Sequence, residues 1–426
     1  MKGQYRIISI LIVLTLVFSV NLNIMAAWSA RTIGLGDGFA VITGSDALYA
    51  NPAAVSADDR RFNLELKLAA EAWNNLLFND YITQAKMKDT LNKISKNGMV
   101  VNGNGNLGGN LSIGPVTAFA DIRADGLGRL SPDFTKLFFA GEIEDGKQYR
   151  IDGTAFFASS YLDTGVNLSL KMPDSVAKSL QVERLYLGMT YHYLAGAAVK
   201  SSGTGSIGME FDQDGDPYIS GNTSQLDAQY SDLDNFKIDQ LATGSAFDVG
   251  VYAELNDKLS LGVSLLNLGA SLKVDQALYH QYTFAYEDTD GDGQKEWDTA
   301  DDPEEGVLSG GFELKLPTIF KVGGKYNFSD SFAVLANFTN KSYSDQIFTK
   351  TLSDQKFSLA AEYIGLRILP LRLGVNYSTL QRDFDLAAGF GLHLGPLKLD
   401  VGLADLTGLF NQSKGVAGGL NARIEF

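Results

Sequence analysis

The residues in this chain best suited to chemistry are carboxylates at alternate positions. Asp288-Thr289-Asp290-Gly291-Asp292-Gly293-Gln294 puts acids at loop positions one, three and five and a glycine at six. Alternate carboxylates converge on a hard cation and the glycine makes the sharp turn, as in the first half of an EF-hand-like calcium loop. Asp288, Asp290, Asp292 and Gln294 are therefore candidate calcium ligands. Thr299 falls at position twelve, where a bidentate glutamate is expected, so Glu296 or Asp298 would have to substitute. The competing reading is a solvated acidic loop. Asp212, Asp214 and Asp216 repeat the spacing, but Pro217 takes the place of the glycine. No cofactor other than calcium is suggested.

Catalysis has little support. The chain has no cysteine and only His192, His280 and His393, with no Gly-x-Ser-x-Gly elbow and no His-Glu-x-x-His helix. Gly34-Leu35-Gly36 does not follow a strand of a βαβ unit, so it is no dinucleotide loop. The chain reads as a non-enzyme. Its net charge of −15 argues against a nucleic-acid partner. One further segment stands out. In Gly44-Ser45-Asp46-Ala47-Leu48-Tyr49-Ala50-Asn51-Pro52-Ala53-Ala54, Ser45 is placed to cap one helical turn through Tyr49. Pro52 then forces Asn51 into an extended shape and stops the helix. A compact knot is expected just before the first strand.

The elements that must position these residues are strands. Phe384, Leu386, Ala388, Phe390, Leu392 and Leu394 alternate with Asp385, Ala387, Gly389, Gly391 and His393. Leu397, Leu399, Val401 and Leu403 alternate with Lys398, Asp400, Gly402 and Ala404, across a Gly395-Pro396 turn. Runs starting near Leu185, Phe247, Leu259, Phe320, Phe332 and Phe357 behave alike, and several are joined by links as short as Asn256-Asp257 or Ser329-Asp330. Glycine is abundant and proline scarce, 45 against 9, which suits curved sheets. At the start, Lys2 and Arg6 precede an apolar run over residues 7–20, with small residues at Ala26, Ala27, Ser29 and Ala30. This reads as a signal peptide over 1–27, too short for a spanning helix.

Leu420, Ala422, Ile424 and Phe426 share one face of a last strand, opposite Asn421, Arg423 and Glu425. A strand ending on an aromatic resembles the recognition signal that outer-membrane barrels present to their assembly machinery. Lipid tolerates no unpaired strand edge, so the last strand must close against the first. The fold class expected is all-β: a closed antiparallel transmembrane barrel of about 14 strands. A separate N-terminal segment is expected over 28–60, the barrel over 61–426, with a few short helices. Residues 61–68 read as a strand, 79–96 as a helix, and Ser131-Pro132-Asp133 as a helix start running to about residue 140, inside the lumen or at a rim.

Gly34, Gly36, Asp46, Ala47, Tyr49, Asn51, Pro52 and Ala53 fill the pattern Gly-x-Gly, small-residue run, Asp-Ala, aromatic, Asn-Pro-Ala. In this the chain resembles the FadL-like outer-membrane family and its PorV-like relatives, and within it a subgroup of uncharacterised function. The resemblance implies a 14-strand barrel whose N-terminal segment plugs the lumen. It also implies passage of a small hydrophobic molecule across the outer membrane, often by a lateral opening, or PorV-like support of protein secretion and surface attachment. A structural barrel with calcium-binding loops is a third expectation. The expected partners are the lipid bilayer, the barrel assembly machinery and a hydrophobic small molecule. An apolar lumen behind the plug would favour transport, and a polar one interaction.

Overall fold

The computed structural model describes residues 29–58, 60–76, 98–139, 144–213, 215, 217–232, 240–287, 296–299, 304–343, 352–366, 368–407 and 414–426. The signal segment 1–27, the expected helix 79–96, Asp214 and Asp216, and the acidic loop with Asp288, Asp290, Asp292 and Gln294 lie outside the described residues.

A barrel of 14 antiparallel strands closes on itself. In chain order these are β1 (Phe62–Asn74), β2 (Met99–Ile113), β3 (Val116–Leu130), β4 (Ala155–Lys171), β5 (Arg184–Thr204), β6 (Ala242–Glu254) and β7 (Leu259–Leu268). They continue as β8 (Thr318–Ser329), β9 (Phe332–Tyr343), β10 (Leu352–Tyr363), β11 (Leu371–Ser378), β12 (Asp383–Leu394), β13 (Leu397–Ala404) and β14 (Gly415–Glu425). Each pairs with its neighbour in sequence, and β14 returns to β1 in a register running from Asn63 opposite Glu425 to Trp73 opposite Gly415. The seam is finished by Phe426, whose ring stacks on Phe62 with centroids 4.8 Å apart. Its N–H donates to the Phe62 carbonyl at 3.1 Å. Closure leaves no edge, which is the condition for strands to stand in hydrocarbon.

Period-two alternation sorts the side chains as the sequence requires. Leu66, Leu373 and Phe384 face outward and are exposed, in an apolar belt with Leu64, Phe357 and Leu420. Their neighbours Glu65, Lys67, Asn421 and Arg423 face inward and are buried. At one end the strands are joined by tight links such as Gly114-Pro115, with Gly114 at φ 57, and Gly395-Pro396, with Gly395 at φ 64. At the other end the links are long and build structure of their own. Helix α2 (Pro132–Phe139), counted after α1 (Ala30–Leu35) of the plug, is capped there by Ser131, whose Oγ accepts from the Phe134 N–H at 3.2 Å. Its Phe134 and Leu137 pack on Tyr149, Ile151, Ile207 and Met209, beside a small sheet of Lys147–Arg150, Ser206–Phe211 and Pro217–Asn222. Of the two positions expected for this helix, inside the lumen or at a rim, it takes the rim, in the link between β3 and β4. A third short helix, α3 (Asp174–Ser179), links β4 to β5 at the tight-turn end.

The long links also extend the barrel sheet. Ser271–Val274 pairs with Phe312–Lys315. Leu272 and Leu314 of this pair are completely buried against Trp73, Val100, Leu127, Phe157 and Leu194 of the barrel wall. This apolar cluster caps the lumen at the long-loop end. A second apolar core lies at the tight-turn end, made by the plug: Leu35, Phe39, Val41, Ile42, Ala47, Leu48 and Ala53.

Candidate functional site: the plug and its charged cradle

The plug starts with α1, which Ser29 caps by accepting from the Thr32 N–H. Gly36 ends the helix in the left-handed conformation, at φ 84. The expectation that Ser45 caps a helical turn is corrected. Gly44, at φ 81, occupies the cap position, and Ser45 is the first residue of a 3₁₀ turn, Ser45–Ala47. Pro52 does not merely end that turn. It opens a second one, Pro52–Ala54, whose cap is the extended Asn51, with a side chain that accepts from the Ala53 N–H at 3.1 Å. Proline suits this first position because its missing N–H would have had no partner there.

Backbone this irregular carries polar groups that a lumen in lipid must satisfy. The inward side chains of the wall do so. Asn421 accepts from the Ala30 N–H at 2.7 Å, and Asn376 donates to the Gly36 carbonyl at 3.1 Å. Asn337 accepts from the Ala40 N–H at 3.0 Å, and Ser264 donates to the Ala50 carbonyl at 2.6 Å. Asn167 donates to Pro52 at 3.2 Å and Ser169 to Ala53 at 2.7 Å. Asn51 ties plug to wall from the other side, donating to the carbonyls of Ala40 at 2.8 Å and Val251 at 2.9 Å. Where the plug presses closest, the wall is glycine. A Cβ on Gly402 would stand 2.0 Å from the Ala30 carbonyl oxygen, and one on Gly250 would stand 2.1 Å from Asn51 Oδ1. Gly34 of the plug faces Gly389 of β12 in the same way, at 2.7 Å.

Two charged assemblies lock the knot in place. The first is a closed ring of alternating sign. Arg31 of the plug meets Glu362 of β10 at 2.7 Å, and Glu362 meets Arg372 of β11 at 2.9 Å. Arg372 meets Asp400 of β13 at 2.7 Å, and Asp400 meets Arg423 of β14 at 3.2 Å. Arg423 reaches Asp46 of the plug at 2.7 Å, and Asp46 returns to Arg31 at 3.5 Å. Burial works against charge on Asp46, but Arg423 and Arg31 outweigh it and hold its carboxyl well below the usual range.

The second assembly starts at Tyr49. Its hydroxyl donates to Asp121, which Lys67 approaches at 3.2 Å. The Lys67 ammonium lies 4.3 Å from the Tyr49 ring centroid and the Arg123 guanidinium 5.2 Å, both within cation–π range. Arg123 pairs with Asp163 at 3.1 Å. His192 bridges Asp163, at 2.9 Å, and Asp248, at 3.1 Å. A smaller cradle holds Asp37, which accepts from Asn337 at 3.0 Å and Thr339 at 2.9 Å, with Lys321 at 3.4 Å. Burial opposes its charge, yet Lys321, Lys356 and these hydrogen bonds prevail and lower it to about 2.

The structure thus gathers the motif Gly34, Gly36, Asp46, Ala47, Tyr49, Asn51, Pro52 and Ala53 into one buried body. Leu420, Ala422, Ile424 and Phe426 line the outer face of β14, away from it. The flanks of the acidic loop, Phe284–Glu287 and Glu296–Thr299, pair as a hairpin in which Thr299 stands opposite Phe284. Arg31, Asp37, Lys67, Asp121, Arg123 and Asp163 were not singled out in sequence. For Lys67, Asp121, Arg123 and Asp163 the available signal was their charge, since ionisable groups on the inward face of membrane strands are costly and mark functional positions; Arg31 and Asp37 lie in the plug, where no such alternation points to them.

Comparisons place this geometry. A family model described as "Family of unknown function (DUF5723)" matches residues 52–403. No curated protein matches the chain. Among solved structures, the Ralstonia pickettii toluene transporter TbuX is similar at 14% identity and a TM-score of 0.50, over 95% of this chain and 98% of that one. The CymD monoaromatic hydrocarbon channel is similar at 14% and 0.50, over 95% and 97%. A Pseudomonas aeruginosa FadL homologue is similar at 13% and 0.51, over 95% and 99%. At these identities the likeness shows the fold, a FadL-like barrel.

Proposed function

We propose that this chain, which belongs to the family of unknown function DUF5723, resides in the outer membrane and passes a small hydrophobic molecule across it. The observation that carries this reading is the apolar mouth. Leu272, Leu314 and Phe312 fold from the long loops onto Phe157, Leu127 and Trp73, so the exposed end of a polar lumen is closed by a surface that an apolar guest can enter. The names of two fold neighbours, a toluene transporter and a monoaromatic hydrocarbon channel, support the same substrate class. Below the mouth the plug fills the lumen, and every wall strand is paired on both sides. Passage therefore requires the plug to loosen its hold on the wall. Phe426 and its outward neighbours on β14 serve, on this reading, as the signal for the assembly machinery.

The test is mass spectrometry of molecules bound to protein purified in mild detergent from native outer membranes. An apolar species enriched over bulk lipid, and lost on Phe157→Ser, is the expected result. An unenriched profile would shift the reading to PorV-like support of secretion. The observation favouring that alternative is the lumen lining behind the plug, which is amide and charged rather than apolar. A secreted protein co-purifying with the barrel would then be the finding.

A further inference from the structure

We propose that the lipid-facing wall of the barrel holds one phospholipid, with an acyl chain seated in a furrow across β9, β10 and β11 and its phosphate at Arg382. The furrow is an open cavity of about 550 Å³. Sites for small molecules commonly measure about 300–1,000 Å³. Two rows of outward side chains form its banks. The row toward the long-loop end is aromatic: Phe338 stands opposite Phe357, Phe357 opposite Tyr377, and Tyr377 opposite Phe384. Its rings pair two and two, Phe338 with Phe357 at 5.1 Å and Tyr377 with Phe384 at 4.9 Å between centroids. The other row is aliphatic, with Ala336 opposite Leu359 and Leu359 opposite Val375. Between the rows lie Asn337, Ser358 and Asn376, whose side chains turn into the lumen and are buried there. What they present to the membrane is backbone, and it is the floor.

The height of the furrow points to its occupant. Past the aromatic row, toward the long loops, the next outward residues are polar: Asn340 opposite Gln355, then Ser342 opposite Ser353. The row therefore marks the boundary between hydrocarbon and headgroups, where the aromatic girdles of membrane barrels sit. A chain in the furrow lies just beneath its own headgroup. Arg382 supplies the charge for that headgroup. It is exposed, in the turn joining β11 to β12, two positions before Phe384. Its φ of 57 is a left-handed conformation in which glycine is the ordinary residue. An arginine kept there at that cost is explained by its side chain, and a guanidinium pairs with phosphate through bidentate, charge-assisted hydrogen bonds. Both parts of the site are needed. A lipid chain gains no hydrophobic free energy by leaving bulk hydrocarbon for an apolar wall, so packing contacts alone hold it. The phosphate anchor turns that weak hold into a site. One cation beside uncharged amides and hydroxyls suits a lipid with a single phosphate better than a lipopolysaccharide with several. This inference rests on the membrane barrel and not on which molecule the barrel passes.

In the experiment the full chain is refolded in detergent without native lipid, titrated with dioleoylphosphatidylethanolamine and read by native mass spectrometry. The expected result is one lipid adduct that survives activation stripping all others. Ala336→Phe fills the furrow from an exposed position and abolishes that adduct, whereas Ala118→Phe adds the same bulk at an exposed position of β3 and keeps it. Arg382→Gln weakens retention several-fold. Phe157→Ser, at the mouth, leaves the adduct in place, which separates this site from the passage of a guest. Adducts that leave as a graded series overturn the site, and so does equal loss from both phenylalanine variants. Unchanged retention in Arg382→Gln overturns the phosphate anchor. Lipopolysaccharide in place of phospholipid on protein extracted from native outer membranes overturns the choice of lipid. Heat-modified migration on gels checks that each variant has folded. Should Ala336→Phe fail to fold, the adduct pattern of the unaltered chain and of Arg382→Gln decides.

Discussion

Both ends of the lumen hold a buried apolar core, but the tight-turn end adds a directional lock of charges and amides. At the tight-turn end the plug is held by ion pairs, amide side chains and glycine contacts, so each interaction depends on direction and distance. At the long-loop end the mouth is held by Leu272, Leu314, Phe157 and Trp73, whose contacts depend chiefly on area. The difference teaches what each end can do. A directional lock is strong when complete and costly when broken, which suits a seal. A nondirectional apolar surface rearranges at little cost around a guest, which suits an entrance.

The sharpest way to break the comparison is to cut the ring of charges. Arg423→Ala takes one arginine from each of Asp46 and Asp400, which keep Arg31 and Arg372, in a buried site where removing a partner typically costs about 3–5 kcal/mol. The expected outcome is a barrel that still closes but unfolds at a lower temperature, read from heat-modified migration on gels, with its N-terminal segment newly open to protease. A protease pattern like that of the unaltered chain would mean the ring does not hold the plug.

At the mouth, Leu272→Ala removes a completely buried side chain, with a typical cost of about 2–5 kcal/mol less whatever the loops recover by collapsing. Here the expected change is a loss of bound apolar molecules with the plug still resistant to protease. Loss of both together would show that the two ends are one cooperative unit.

A smaller effect comes from pH. The Asp37 carboxyl is held at about 2, below its ordinary value of 3.8. A depressed value in the folded state means stability that is present above about pH 4 and lost as pH falls through the folded value. Melting followed between those limits should show the plug loosening before the wall, because the Asp37 cradle joins the two. Asp37→Asn should flatten that dependence. The smallest expected effect is a rise in melting temperature at millimolar calcium through Asp288, Asp290 and Asp292, and an unchanged melting curve would leave that segment as a solvated loop.

Much of the wall was legible. Strands such as β12 and β13 show alternation of large apolar residues with polar or small ones, and their tight turns carry glycine and proline. The β2 strand was not legible. Its Asn102, Asn104 and Asn106 face inward, and its outward face, Val101, Leu107, Leu111 and Ile113, is interrupted by glycine at 103, 105 and 109, which breaks the apolar run that would reveal the period of two. Asn-Gly pairs also read as turns. Ser45 misled for a related reason: a serine ahead of a short turn looks like a cap, but Gly44 already supplies the backbone conformation there.

What the sequence determined by itself was whatever rests on local periodicity and local chemistry: a membrane barrel, its approximate strand number, a compact knot before the first strand, and the extended Asn51 before Pro52. What only the tertiary structure decided was partnership across the lumen. Asp46 and Arg423 are 377 positions apart, and Arg31 and Glu362 are 331 apart. Neither pairing leaves a trace in spacing, because it exists only once the closed wall brings β10, β11, β13 and β14 around the same turn of the plug.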